Sequence, residues 1–112
     1  MRPRDVRVHL LDALAATEEI IAIRKQVGAD ELRDNRIVRA AVERHLITIG
    51  EALHKALALD DSLEDRVPRL HAIVGLRNRL VHGYFAIEWS RIVVTVEGEM
   101  DALANTLRAI SH

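Results

Sequence analysis

The chain has 112 residues, enough for one domain with a modest hydrophobic core. Its apolar fraction of 49% and charged fraction of 29% are ordinary for a globular protein and exclude disorder as the main state. Sixteen basic and seventeen acidic side chains give a net charge of −1. A general basic field for nucleic acid is therefore excluded, and any such site must be local. We treat residues 1–112 as a single domain.

Cysteine is absent, which excludes disulfides and thiolate metal sites and fits a reducing compartment. The apolar runs are only a few residues long, far short of a membrane span, and no signal peptide is apparent. We therefore expect a cytoplasmic protein without a membrane partner.

The first half of the chain predicts two long helices. Apolar side chains recur every three or four residues in segment 4–26, and Gly28 provides a C-terminal stop. Asp30 can cap a short turn or helix after it. A second stripe, from Val38 to Ala56, predicts a helix over 35–58.

The second half predicts two more helices. Segment 66–82 carries an apolar stripe, with Pro68 suited to its first turn and Gly83 to its end. Segment 88–111 repeats apolar residues at near-heptad spacing. Residues 91–96 are β-branched and would favour a strand in isolation. We predict a helix there because the stripe continues well beyond them and no partner strand is present.

Four long helices joined by short connections predict an all-α, up-and-down four-helix bundle with one extra short helix. The apolar stripes are wide for so small a bundle, and spare apolar surface usually indicates a partner. We therefore expect a homodimer.

The most informative segment is residues 75–85, which gathers two arginines, an amide, a histidine and a tyrosine around one helix end. Asn78 and His82 are four residues apart and share a helix face, so the amide can orient the imidazole. Arg77 is five residues from His82, roughly 140° around the axis. A bent Arg77 side chain, unwinding of the helix at Gly83, or a second copy of the chain would bring these two groups together.

This set of groups suits RNA cleavage without a metal ion. RNA carries its own nucleophile, the 2′-hydroxyl, and needs a base, an acid and a cation at the phosphate. Histidine can serve as base or acid, and arginine binds phosphate with a permanent charge. The structural alternative is that His82 and the two arginines only complement the dipole at a helix C-terminus.

The remaining candidates are weaker. His45 lies on an apolar stripe and is expected to be packed, whereas His9, His54 and His71 are expected on helix surfaces. No spacing of His, Asp and Glu resembles a zinc site, and the glycines form no phosphate loop. We expect neither a metal nor a cofactor.

The segment resembles a known family. Arg77, His82 and Tyr84 match the RX4HXY signature of HepT-like proteins, members of the HEPN superfamily. Residues 73–85 resemble the signature helix of that family, and segments 41–44 and 49–52 resemble its second-helix block. Two departures are His45, where Asn is more usual, and residues 87–88, where an Asp helix cap is expected.

The resemblance implies a toxin of a type VII-like toxin–antitoxin module, an all-helical homodimer with a composite, metal-independent ribonuclease site in its cleft. On that pattern Arg77 and His82 are catalytic, Asn78 supports them, and Arg79 is expected to bind substrate. The cognate antitoxin is an MntA-like nucleotidyltransferase, which transfers AMP from ATP to the motif tyrosine, here Tyr84. A bulky anionic group there would repel an incoming RNA phosphate.

Two other functions fit the residues. The dimer could be a non-catalytic, nucleotide-binding or regulatory subunit of a nucleotidyltransferase, which the near-neutral charge favours. It could also be a purely structural helical dimer in which the motif only ends a helix.

Overall fold

The computed structural model describes residues 5–83 and 88–111. These residues form seven helices and no strand. In chain order the helices are α1 (Val6–Gln26), α2 (Ala29–Asp34), α3 (Arg36–Leu59), α4 (Leu63–Arg66), α5 (Leu70–His82), α6 (Trp89–Gly98) and α7 (Met100–Ile110).

The long helices make a four-helix bundle in which α6 and α7 together act as the fourth member. Helix α1 packs against α3 on one side and against α6 and α7 on the other, and α3 packs against α5. This confirms the all-α bundle predicted from the sequence. The short helix expected near Asp30 is α2, and α4 is a second short helix that was not predicted.

The core is formed by the predicted apolar stripes, with Val42, Ile49, Leu53 and Ala56 of α3 fully buried at its centre. Polar contacts fix the beginnings of two of the helices that surround this core, α3 and α6. Asn35 caps α3 by accepting hydrogen bonds from two backbone N–H groups of its first turn. The Trp89 indole Nε1 donates to the Leu32 carbonyl at 2.9 Å, which ties the start of α6 to α2.

The third predicted helix, 66–82, starts later than expected. Val67 is extended (φ −111°, ψ 103°), as is usual before a proline, and Arg69 is left-handed (φ 63°). Pro68 therefore lies between α4 and α5 and is not in the first turn of a helix. The helix that carries Arg77 and His82 begins at Leu70.

The last predicted helix, 88–111, is broken at Glu99. The β-branched segment 91–96 is helical, as predicted. The break follows Gly98, because glycine has low helix propensity. The side chain of Arg24 from α1 also reaches the backbone of α6 close to the break. Arg24 donates to the Val96 carbonyl at 3.0 Å and to both carboxylate oxygens of Asp101. The hydrogen bond from Arg24 also lowers the pKa of Asp101.

None of the helices within residues 5–83 and 88–111 is both long enough and apolar enough to cross a membrane.

Candidate functional site

Arg77 and His82 of the signature lie on α5, which ends as the sequence predicts. Gly83 is left-handed (φ 62°), and its N–H donates to the Arg79 carbonyl at 2.9 Å. Glycine adopts this conformation without the penalty that a Cβ would bring, so it terminates the helix directly after His82. The imidazole is therefore carried by the last helical residue and is exposed to solvent.

Helices α3 and α5 are in close contact where Gly50 meets Arg77. A Cβ at Gly50 would overlap the Cβ of Arg77, lie 2.8 Å from its Cγ and lie 3.4 Å from the Ile73 carbonyl oxygen. Real Cβ atoms do not tolerate such contacts, so only glycine permits this crossing. The stem of Arg77 is thereby pressed against α3, and its side chain is only 25% exposed.

The guanidinium of Arg77 makes two hydrogen bonds. Nη1 donates to Asn78 Oδ1 at 2.9 Å, and Nη2 donates to Glu51 Oε1 at 3.4 Å. Nε is buried and has no hydrogen-bond partner among the described residues. Because a guanidinium has five N–H donors, two Nη N–H groups remain for a ligand besides the buried Nε–H. A buried, unpaired donor on a cation is costly for the protein alone, and an anion would satisfy it.

The predicted site residues are arranged around α5 in a definite order. At about 100° per residue, Asn78, His82 and Arg79 follow Arg77 at roughly 100°, 140° and 200°. Arg77 faces α3, Arg79 faces α6, and Asn78 and His82 lie on the exposed surface between them. The contact predicted between Asn78 and His82 stays a prediction, whereas Asn78 does bond Arg77. Tyr84 lies outside the described residues.

Glu51 and Gly50 were not assigned a role from the sequence, although both lie in the second-helix block. Their roles depend on the crossing of two helices that are distant along the chain, and no local spacing reveals it. Glu51 also borders a groove of about 420 Å³ between α1 and α3. His9 and His45 line this groove.

The expectation for His9 was wrong. Its residue exposure is 6%, because it turns into the α1–α3 contact and does not lie on the helix surface. His54 and His71 are exposed as expected, and His71 hydrogen-bonds Glu64 at 2.9 Å. Glu88 occupies the N-cap of α6 without a side-chain hydrogen bond, consistent with the missing Asp cap. In the described part of the chain, no cluster of three or more His, Asp or Glu residues could hold a metal ion.

A family model described as "Ribonuclease HepT-like" matches residues 13–110. The match runs from Ala13 within α1 to the end of α7, and it includes Gly50, Glu51 and all of α5. The chain belongs to the HepT-like family of the HEPN superfamily.

Three similar proteins come from Methanocaldococcus jannaschii. The protein named "Putative RNase MJ1380" is 34% identical over 91 residues, which cover 80% of this chain and 81% of that protein. "Putative RNase MJ0125" is 27% identical over 112 residues, covering 98% of this chain and 94% of that protein. "Putative RNase MJ1216" is also 27% identical, over 98% of this chain and 90% of that protein. No solved structure matches the chain significantly.

The close approach at Gly50 makes a direct prediction. Gly50→Ala introduces a Cβ that overlaps Arg77, so we expect the free energy of unfolding to fall by about 1–3 kcal/mol, as in overpacked cores. Urea denaturation followed by circular dichroism measures this difference.

Gly75→Ala is the matched control, because Gly75 lies on α5 and a Cβ there meets no atom within 4 Å. It should leave stability unchanged or raise it by about 0.5–1 kcal/mol, since alanine favours a helix interior over glycine. Equal stabilities of the two variants would contradict the close α3–α5 crossing.

Proposed function

We propose that the protein is a metal-independent RNA endonuclease in which Arg77 and His82 are catalytic and Asn78 supports Arg77. The observation that carries the proposal is the state of Arg77. Its guanidinium is fixed by Gly50 and Glu51 and keeps a buried Nε donor with no partner among the residues the structure describes. This is a cation prepared for an anionic ligand, five residues from an exposed imidazole on the same helix.

The proposed reaction uses the nucleophile that RNA supplies. The 2′-oxygen attacks the neighbouring phosphorus, a P–O2′ bond forms, and the P–O5′ bond breaks to leave a 2′,3′-cyclic phosphate and a 5′-hydroxyl. A base removes the 2′-hydroxyl proton, and an acid protonates the leaving 5′-oxygen. Arg77 balances the charge that develops on the equatorial phosphate oxygens.

A second copy of the chain completes this proposal. One imidazole cannot be both the base and the acid within a single in-line step, whereas two copies of His82 supply both. Arg77 and His82 also point about 140° apart around α5, so one protomer alone does not place them side by side. We therefore propose a homodimer whose cleft holds one scissile linkage between two signature helices.

The catalytic assignment is tested with purified protein and single-stranded RNA in the presence of EDTA. Cleavage should persist with EDTA, because no step uses a metal ion. His82→Ala should lower the cleavage rate by at least about 100-fold, the usual contribution of a positioned acid or base. Arg77→Ala should lower it by about 100- to 1,000-fold, and Asn78→Ala by less than either.

Arg108→Ala is the control, because Arg108 is an exposed arginine on α7 that bonds only its neighbour Asn105 among the described contacts. Its cleavage rate should equal that of the wild type. Full activity in His82→Ala or Arg77→Ala would refute the assignment. Nucleotide binding without any RNA cleavage by the wild type would favour the non-catalytic subunit of a nucleotidyltransferase instead.

We further propose that the chain is the toxin of a type VII-like toxin–antitoxin module and acts in the cytoplasm, where its RNA substrate is found. Its partner would be an MntA-like nucleotidyltransferase. In the proposed control step, the Tyr84 hydroxyl oxygen attacks the α-phosphorus of ATP, forms a P–O bond and releases pyrophosphate. Tyr84 follows His82 by two residues, so the added phosphate would repel substrate at the end of α5.

Intact mass spectrometry after co-expression with such a nucleotidyltransferase tests the control step. Wild-type protein should gain the mass of one or more AMP units and lose ribonuclease activity. Tyr84→Phe should gain none and stay active, because it lacks the acceptor hydroxyl. An unchanged AMP adduct in Tyr84→Phe would move the modification to another residue and contradict this part of the proposal.

A further inference from the structure

A groove of about 180 Å³ runs between α5 and α6 on the side of α5 that faces away from α3. Three arginines line it: Arg69 and Arg79 from the α5 side and Arg91 from α6. It exists because α5 packs on α3 whereas α6 packs on α1, so the two helices do not close against each other.

The groove carries a local positive charge in a chain whose net charge is −1. Glu99 is its acidic member, and it is bound to Arg69 at 2.7 Å. Arg91 is 80% exposed, and its partner Glu88, 76% exposed, is 4.0 Å away, at the limit of an ion pair. Such an exposed pair contributes little, so the charge of Arg91 is available to a ligand.

The groove lies beside the proposed catalytic residues. Arg79 precedes His82 by three residues, so the two side chains are neighbours on the surface of α5. An RNA strand that contacts Arg77 and follows the surface of α5 would pass Asn78 and His82 and then reach Arg79 and the groove.

The groove floor between the cations is apolar, with Leu76 from α5 and Ile92 from α6. Cations above an apolar floor match a nucleotide, which has a charged phosphate on one side and the face of a ribose or base on the other. A short linear anion without an apolar part would leave this floor uncovered.

We propose that the α5–α6 groove is a substrate subsite that binds a nucleotide flanking the scissile linkage, with Arg79 and Arg91 holding its phosphate. Arg69 stays bound to Glu99 and fixes the far end of the groove. The subsite rests on the proposed ribonuclease function, and it explains how a nearly neutral protein binds RNA through a local charge. Binding and cleavage measurements distinguish failure of the subsite from failure of the ribonuclease function.

The primary test is binding of a fluorescein-labelled 12-nucleotide oligouridylate, measured by fluorescence anisotropy in a His82→Ala background that does not cleave it. Adding Arg79→Ala and Arg91→Ala should weaken binding about tenfold and reduce the slope of log K against log salt by roughly 0.7, since both arginines hold one phosphate and each phosphate contacted on a single strand contributes about 0.7.

The matched control replaces Arg33 and Arg108, two exposed arginines on α2 and α7 that lie outside the groove. Arg33→Ala with Arg108→Ala removes the same charge and should change binding less than twofold. Equal losses in the two double variants would show a general charge effect and overturn the subsite. Unchanged binding in the groove variant, or no binding by the His82→Ala parent, would overturn it as well.

The cleavage arm uses proteins that retain His82. With the 12-mer, the groove variant should raise KM about tenfold with kcat within about twofold. Groove-dependent RNA binding without cleavage by any preparation would keep the subsite and refute the ribonuclease proposal. Cleavage unaffected by the groove substitutions would refute the subsite alone.

Discussion

The contact between Gly50 of α3 and Arg77 of α5 is the constraint on which the site depends. Because Gly50 has no Cβ, the two helices can approach closely enough to hold the Arg77 stem against α3. Glu51, the next residue on α3, then receives one N–H of the guanidinium, and Asn78 receives another. A long and otherwise mobile side chain is thus held in one place before any ligand arrives, which is the condition for electrostatic catalysis.

The electrostatics of the molecule are local. The chain is almost neutral, so its overall field attracts RNA weakly. Around α5, however, Arg77 faces α3, where Glu51 balances part of its charge. An arginine-lined groove lies between α5 and α6, and His82 lies on the exposed surface between Arg77 and this groove. Charge is therefore concentrated along one helix. In this account, binding of the RNA phosphates depends on where the cations lie and not on how many the chain has.

Periodicity in the sequence predicted the helices well, because apolar stripes are local signals: α1, α3 and the end of α5 at Gly83 lie where the pattern indicated. The role predicted for Gly28 was wrong, because α1 is capped by Val27 and Gly28 (φ −74°) is the N-cap of α2. The start of α5 and the break at Glu99 were missed, since the first depends on the left-handed Arg69 and the second on Arg24 reaching across from α1. Likewise, the sequence motif identified Arg77 and His82 as candidates. That Gly50 and Glu51 hold Arg77 is visible only in the tertiary structure, because these residues are distant along the chain.

The central claim is that the restrained guanidinium of Arg77 receives the RNA phosphate. Nitrogen–proton correlation spectra of the arginine Nε–H groups test it directly, with the Arg77 signal assigned by its loss in Arg77→Lys. Adding an oligonucleotide that lacks the 2′-hydroxyl, and so cannot be cleaved, should shift this signal, because phosphate bound to the Nη groups changes the electronic environment of the whole guanidinium. An Arg77 signal that stays unchanged at saturating oligonucleotide would contradict the account.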